Sequence, residues 1–285
     1  MKKITAVLHD GSKIEAEISG SGPAILLPVS LVVAEGKEAE EKQKWGVDPA
    51  MGRNFIEGLH DKFTVVAFDY EGHRMAHPAP DTLTPDNITK DILAVADAAG
   101  AKKFAYYGYS WLALCGLQLG IRTDRLWAVI MGAYPPIDGP YKGMLAVTKA
   151  TYEMALHPEA SGPKDPNNIW DSAKMTISID QTKQFFTLYN NLQNFDDRTI
   201  QSKLTSPRLC FVGSNDKQHY SERWGGVTVD MATPLVNKAS ELKKYGWDVQ
   251  VLEGLDHISA MQPVNALPVI RPWLISQQTH IQAAG

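Results

Sequence analysis

The chain has 285 residues, 44% of them hydrophobic and 21% charged, with a net charge of −4 from 28 Lys plus Arg against 32 Asp plus Glu. That length holds one large α/β domain or two small ones with surface enough to bury a core, and the composition excludes disordered and collagen-like classes. The slight acidic excess and the lack of a long basic run argue against a nucleic-acid partner.

Met1-Lys2-Lys3 has the charge of a leader peptide, but the apolar run Ile4 to Leu8 is short and gives way to His9-Asp10, so no leader is expected. No stretch approaches the roughly twenty apolar residues of a membrane span, and a cytoplasmic chain without a membrane partner is expected. Lys3–Leu8 and Lys13–Ile18 flank Asp10-Gly11, a hairpin signal. Ala24–Pro28, Phe63–Phe68, Phe104–Tyr107, Trp127–Met131, Leu209–Val212 and Val249–Leu252 are short, β-favouring, largely apolar runs of the kind buried on both faces in a mostly parallel sheet. Helical patterns lie between or after them over Asp48–Leu59, Thr84–Ala99, Ser110–Ile121, Ala232–Tyr245 and Val264–Ser276. This alternation predicts one doubly wound α/β layer structure with ligands at the carboxyl ends of the strands.

Two stretches interrupt it. Residues 34–44 are charged and read as a surface loop rather than a functional flap. Residues 137–205 are helical in pattern and separate two core strands, dividing the chain into a core of 1–136 and 206–285 and an insertion. Cys115 and Cys210 each fall in apolar surroundings and read as buried small hydrophobes rather than a disulfide. His73 and His77 lack clustered carboxylate or cysteine partners, so no metal is assigned. Neither a phosphate-binding loop nor a dinucleotide fingerprint is present, and no cofactor is expected.

The pattern changes from strand to helix at Ser110. In Gly108-Tyr109-Ser110-Trp111-Leu112, a glycine two places before a serine permits a sharp turn that exposes the hydroxyl at a helix N-terminus. This run resembles the nucleophile elbow of the α/β-hydrolase superfamily, G-x-S-x-G, with Leu112 replacing the last glycine. The leucine is expected to crowd the turn or part the strand from the helix.

The resemblance implies an α/β-hydrolase fold in which serine, acid and histidine follow in that order. Gly213-Ser214-Asn215-Asp216, after a strand, looks like the acid turn, making Asp216 the acid and Asp138 the alternative. Glu253-Gly254-Leu255-Asp256-His257 resembles the histidine loop, making His257 the general base, with Asp256 facing solvent or pinning the loop. The backbone N–H of Trp111 is one expected oxyanion donor. Val29 or Ser30 is the other, in a loop reading Pro28-Val29-Ser30 where the family often shows His-Gly. Phe68-Asp69-Tyr70-Glu71-Gly72-His73 resembles the family's D-x-R-G-H-G turn, with Glu71 in place of arginine and Arg74 in place of the second glycine, and reads as structural.

The insertion resembles the superfamily's helical cap. Phe185, Phe186 and Tyr189 share one helix side and, with Tyr134, are expected to wall an aromatic pocket preferring neutral esters. The expected function is a cofactor-independent serine hydrolase of small or medium carboxylic esters. Carbon–carbon bond hydrolysis, lactone opening and acyl transfer use the same triad, and a non-catalytic ligand-binding protein is the alternative class.

Overall fold

The computed structural model describes residues 1–158 and 177–282; residues 159–176 of the expected insertion lie outside the described residues. The strands are β1 (Lys2–Val7), β2 (Lys13–Ser19), β3 (Ala24–Pro28), β4 (Thr64–Phe68), β5 (Phe104–Tyr109), β6 (Leu126–Gly132), β7 (Arg208–Gly213), β8 (Lys217–His219), β9 (Thr228–Asp230) and β10 (Trp247–Leu252). The helices are α1 (Gly36–Lys44), α2 (Met51–Leu59), α3 (Tyr70–Ala76), α4 (Pro85–Ala98), α5 (Trp111–Gly120), α6 (Tyr141–Leu156), α7 (Ile179–Asn191), α8 (Ala232–Asn237), α9 (Ala239–Lys244), α10 (His257–Met261) and α11 (Pro263–Gln282).

Eight strands form one sheet in the order β1-β2-β4-β3-β5-β6-β7-β10. β2 is antiparallel to both its neighbours, and every pair from β4 to β10 is parallel. Alternation along the strands divides the core, because successive side chains point to opposite faces. Leu26, Val66, Phe68, Phe104 and Tyr106 pack on one face with residues of α4, α5, α8 and α9. Ile25, Leu27, Val65, Ala67, Ala105 and Tyr107 pack on the other with α2, α10 and α11. A strand covered on both faces must be apolar at every position, which is why these strands read as continuous runs.

Several boundaries differ from the sequence expectation. The charged stretch at 34–44 contains a helix, α1, that buries none of its residues. Its helix-forming Glu, Lys and Ala content and a Glu38–Lys42 ion pair of 3.2 Å support it in place of apolar contacts. The pattern over Ala232–Tyr245 is two helices, broken at Lys238. α11 runs on to Gln282 through Pro268 and Pro272. A short antiparallel pair, β8 with β9, follows β7.

Between β6 and β7, α6 lies along α7, with Tyr152 stacked on Phe186 at 5.7 Å between centroids. Tyr141, Val147, Leu188 and Tyr189 of these helices join the apolar cluster that covers α5. Cys115 and Cys210 are both buried and unpaired. No described helix is long and apolar enough to cross a membrane. Among the described residues, no group of three or more His, Cys, Asp and Glu side chains could hold a metal ion.

Candidate active site

β5 ends at Tyr109, and the chain reverses at Ser110 with φ 56° and ψ −128°, a region that L-residues avoid. The backbone is held there by Ser110 N–H donating to the Gly132 carbonyl at 2.8 Å, while Ala113 and Leu114 N–H both return to the Ser110 carbonyl. The hydroxyl caps nothing in its own helix. Gly108 is required by close approach, since a Cβ there would lie 2.2 Å from the Leu112 carbonyl oxygen. The expected parting of strand and helix by Leu112 does not occur. Its side chain joins the core on one side while its backbone abuts Gly108. Farther along, a Cβ on Gly116 would come within 2.9 Å of the Tyr106 ring, so α5 stays slim against β5.

The turns after β7 and β10 are stitched together. Ser214 N–H donates to Leu252 O at 3.0 Å and Asn215 N–H to Leu255 O at 2.9 Å, and Gly254 N–H donates to Ser214 Oγ at 2.8 Å. This registers Asp216 against His257, and His257 Nδ1 lies 2.8 Å from Asp216 Oδ2. Asp216 is 2% exposed, and its own carbonyl accepts from Met231 and Ala232 N–H. Asp256 pins the loop: as N-cap of α10 it accepts from Ser259 N–H and donates its own N–H to Ser259 Oγ, both at 2.8 Å. The Ser259 hydrogen bonds hold its carboxyl below the usual range. Tyr109 OH donates to the His257 carbonyl at 2.7 Å, so the residue before the serine braces the histidine.

Asp138 lies elsewhere. It adopts φ 53° and forms ion pairs with Arg198, at 2.8 Å, and with Lys238.

Ser110 and His257 line one cavity of about 600 Å³ together with Val29, Ser30, Trp111 and Leu112. Its apolar wall comes from Met51, Phe55, Tyr107, Tyr109 and Met261. Val29 N–H is spent on the Leu27 carbonyl at 3.0 Å, whereas the N–H groups of Ser30 and Trp111 make no hydrogen bond among the described residues. Ser30 Oγ accepts from Val32 N–H at 3.4 Å.

Tyr134, Phe185, Phe186 and Tyr189, the expected pocket wall, are not among the residues lining this cavity. Phe185 packs edge-on against Trp111 at 5.2 Å. Tyr134 and Tyr189 are fully buried, and neither hydroxyl makes a hydrogen bond of normal geometry.

Charge is the feature sequence reasoning missed. Glu38 and Lys42 from α1 reach this cavity, as do Asp69 and Glu71 from the turn after β4. Asp69 caps α3, accepting from Gly72 N–H at 2.8 Å. Glu71 is exposed along the cavity, where desolvation pushes its carboxyl up while the Trp111 indole pulls it back. Glu71 at the arginine position of the turn was the available signal. Behind it, Tyr70 lies 6.0 Å from the Trp111 ring and donates to the buried Asp91 at 2.7 Å. The His73 and His77 rings lie 4.9 Å apart, tilted at 39° to each other, and His73 Nε2 lies 2.9 Å from Ser12 Oγ.

No protein-family model matches the chain, and no curated protein matches its sequence. Solved structures do match in shape. An esterase from Thermogutta terrifontis aligns with a TM-score of 0.59 over 97% of this chain and 98% of its own at 18% identity. A structure described under epoxide hydrolases of the alpha/beta hydrolases superfamily, from metagenomes of hot environments, gives 0.55 over 94% and 97% at 16% identity. A proline iminopeptidase from Mycobacterium smegmatis gives 0.59 over 98% and 100% at 15% identity. These proteins are named for different reactions, so the likeness fixes architecture and leaves chemistry to the site. Strand order, the turn at Ser110 and whole-chain similarity agree that this protein has the α/β-hydrolase fold.

Proposed function

We propose that the protein is a serine hydrolase cleaving small or medium carboxylic esters through an acyl-enzyme. One observation carries the reading: Ser110, held at a strained strand-to-helix turn, shares a cavity with His257, whose far ring nitrogen is bonded to buried Asp216. A serine hydroxyl is a poor nucleophile until a neighbouring base takes its proton.

In this mechanism Ser110 Oγ attacks the ester carbonyl and its proton passes to His257 Nε2. Asp216 keeps the other ring proton on Nδ1, fixing the tautomer and stabilising the imidazolium that forms. The oxyanion is met by the backbone N–H groups of Trp111 and Ser30. His257 then protonates the departing alcohol, activates a water against the acyl-enzyme, and returns the proton to Ser110. Ser110 and His257 make no direct hydrogen bond with each other, and nucleophile–base contacts commonly tighten only around substrate. The insertion at 137–205 acts as a cap that backs Trp111 through Phe185. Anionic esters fit poorly, because Glu38, Asp69 and Glu71 face a single cation, Lys42, that is already paired.

A fluorophosphonate probe tests the reading. Covalent labelling that maps to Ser110 and disappears in Ser110→Ala is the expected result. No labelling at neutral pH, with the fold intact by circular dichroism, would sink it in favour of a ligand-binding protein.

A further inference from the structure

The members of the triad are registered by two separate sets of bonds. Asp216 and His257 are fixed to each other by the stitching of the turns after β7 and β10: Ser214 N–H to Leu252 O, Asn215 N–H to Leu255 O and Gly254 N–H to Ser214 Oγ. Asn215 Nδ2 adds a bond to Gly254 O at 3.1 Å. None of these reaches β5 or the turn at Ser110. Among the described residues, one hydrogen bond joins the histidine turn to the serine's strand, and it is Tyr109 OH donating to the His257 carbonyl at 2.7 Å. Ser110 and His257 share no bond of their own, so their alignment before substrate arrives depends on this one.

The surroundings of Tyr109 hold it to that task. Its side chain is 8% exposed, and its ring lies 6.0 Å from the ring of Phe211 on β7, between centroids. It sits over Gly132, where a Cβ would come within 2.4 Å of ring atom Cδ2. The Gly132 carbonyl is the group that accepts from Ser110 N–H at 2.8 Å, so the ring and the serine turn rest on the same stretch of backbone. The His257 imidazole meets the ring edge-on, with centroids 5.2 Å apart and planes at 60°. A side chain locked by packing on several sides passes its position on to the group it bonds. Burial pushes the phenol pKa up, which keeps the hydroxyl protonated and donating through the neutral range.

We propose that Tyr109 is a positioning residue: its hydroxyl, acting through the His257 backbone, sets the approach of His257 Nε2 to Ser110 Oγ, while the His257–Asp216 contact is left to the β7–β10 stitches. This rests on the serine-hydrolase reading and adds to it a residue that transfers no proton. Misplacing reacting groups by about 1 Å can cost on the order of a hundredfold in rate, so a single bond with this duty has a large kinetic effect and a small one on the fold.

Tyr109→Phe keeps the ring and removes the bond. On an activated ester, kcat should fall about ten- to a hundredfold with KM within about twofold of wild type, and the rate of fluorophosphonate labelling at Ser110 should fall with it. The Nδ1 proton of His257, followed by nitrogen-edited NMR on labelled histidine, should keep its wild-type position because the Asp216 contact survives. Equal kcat and equal labelling rates in the two proteins would overturn the proposal. So would a displaced Nδ1 signal, or a variant without wild-type circular dichroism, since the hydroxyl would then support the Asp216 contact or the fold at large. A wild-type protein that takes no fluorophosphonate would instead remove the hydrolase reading, and this proposal with it.

Discussion

Ser110→Gly should make the protein more stable while destroying the proposed nucleophile. Ser110 stands at φ 56° and ψ −128°, and a non-glycine residue in such a region costs about 1–3 kcal/mol. Glycine removes that strain but frees the unfolded chain, which takes back roughly 0.5–1 kcal/mol. The net gain is about 0.5–2 kcal/mol, or roughly 1–4 °C in Tm for a chain of this size. Ser110→Ala is the control. It keeps the strained Cβ and loses a hydroxyl that caps nothing, so its Tm should stay near wild type. Both variants lose fluorophosphonate labelling. Scanning calorimetry on the three proteins decides the matter, and a glycine variant melting at or below the alanine variant would refute the claim that the turn stores strain.

Asp216→Asn should lower turnover about ten-thousandfold by favouring the wrong histidine tautomer, whereas Asp138→Asn loses only ion pairs with Arg198 and Lys238 and should leave ester turnover unaffected; steady-state rates on an activated ester compare them. Gly108→Ala places a methyl 2.2 Å from the Leu112 carbonyl oxygen and should cost about 1–3 kcal/mol by urea titration, with reduced labelling as the turn shifts. His73 gives a pH test. Burial, with the Arg74 and His77 charges, lowers its pKa from 6.5 to about 4. As pH falls the unfolded chain therefore binds this proton first, and the stability His73 confers is present above pH 6.5 and lost on the way to about pH 4. Tm measured against pH should fall less steeply over that window in His73→Gln, and parallel profiles would contradict the assignment.

The core was legible because its strands are covered on both faces and their apolar runs stand out between turn residues. The serine turn and the two turns carrying Asp216 and His257 were legible because each is local: a few residues at a strand end. What escaped the sequence reading depends on contacts between distant segments. α1 has no apolar stripe to announce it. The commitment of Val29 N–H to Leu27 is a fact of loop conformation, not of residue type. The acidic lining combines α1, near residue 40, with the turn after β4, near residue 70. Asp69 and Glu71 looked structural because nothing in their own neighbourhood showed that they face the serine. Phe185 and Phe186 of α7 were expected to wall the pocket, but their ring partners are Trp111 and Tyr152.

α1 closes part of the cavity without burying a residue of its own. Its attachments are backbone bonds near its ends, from Ala34 to Pro49 and from Val47 to Lys42, and the ion pair along its own surface. Local opening free energy follows buried apolar contact, so the amides of α1 should exchange with solvent long before those of β5 or α5. The cavity thus has one wall that yields cheaply and a floor that does not. A ligand too bulky for about 600 Å³ is admitted at least cost by displacing α1, while the turn that aims Ser110 and the stitched loops that register His257 stay in place.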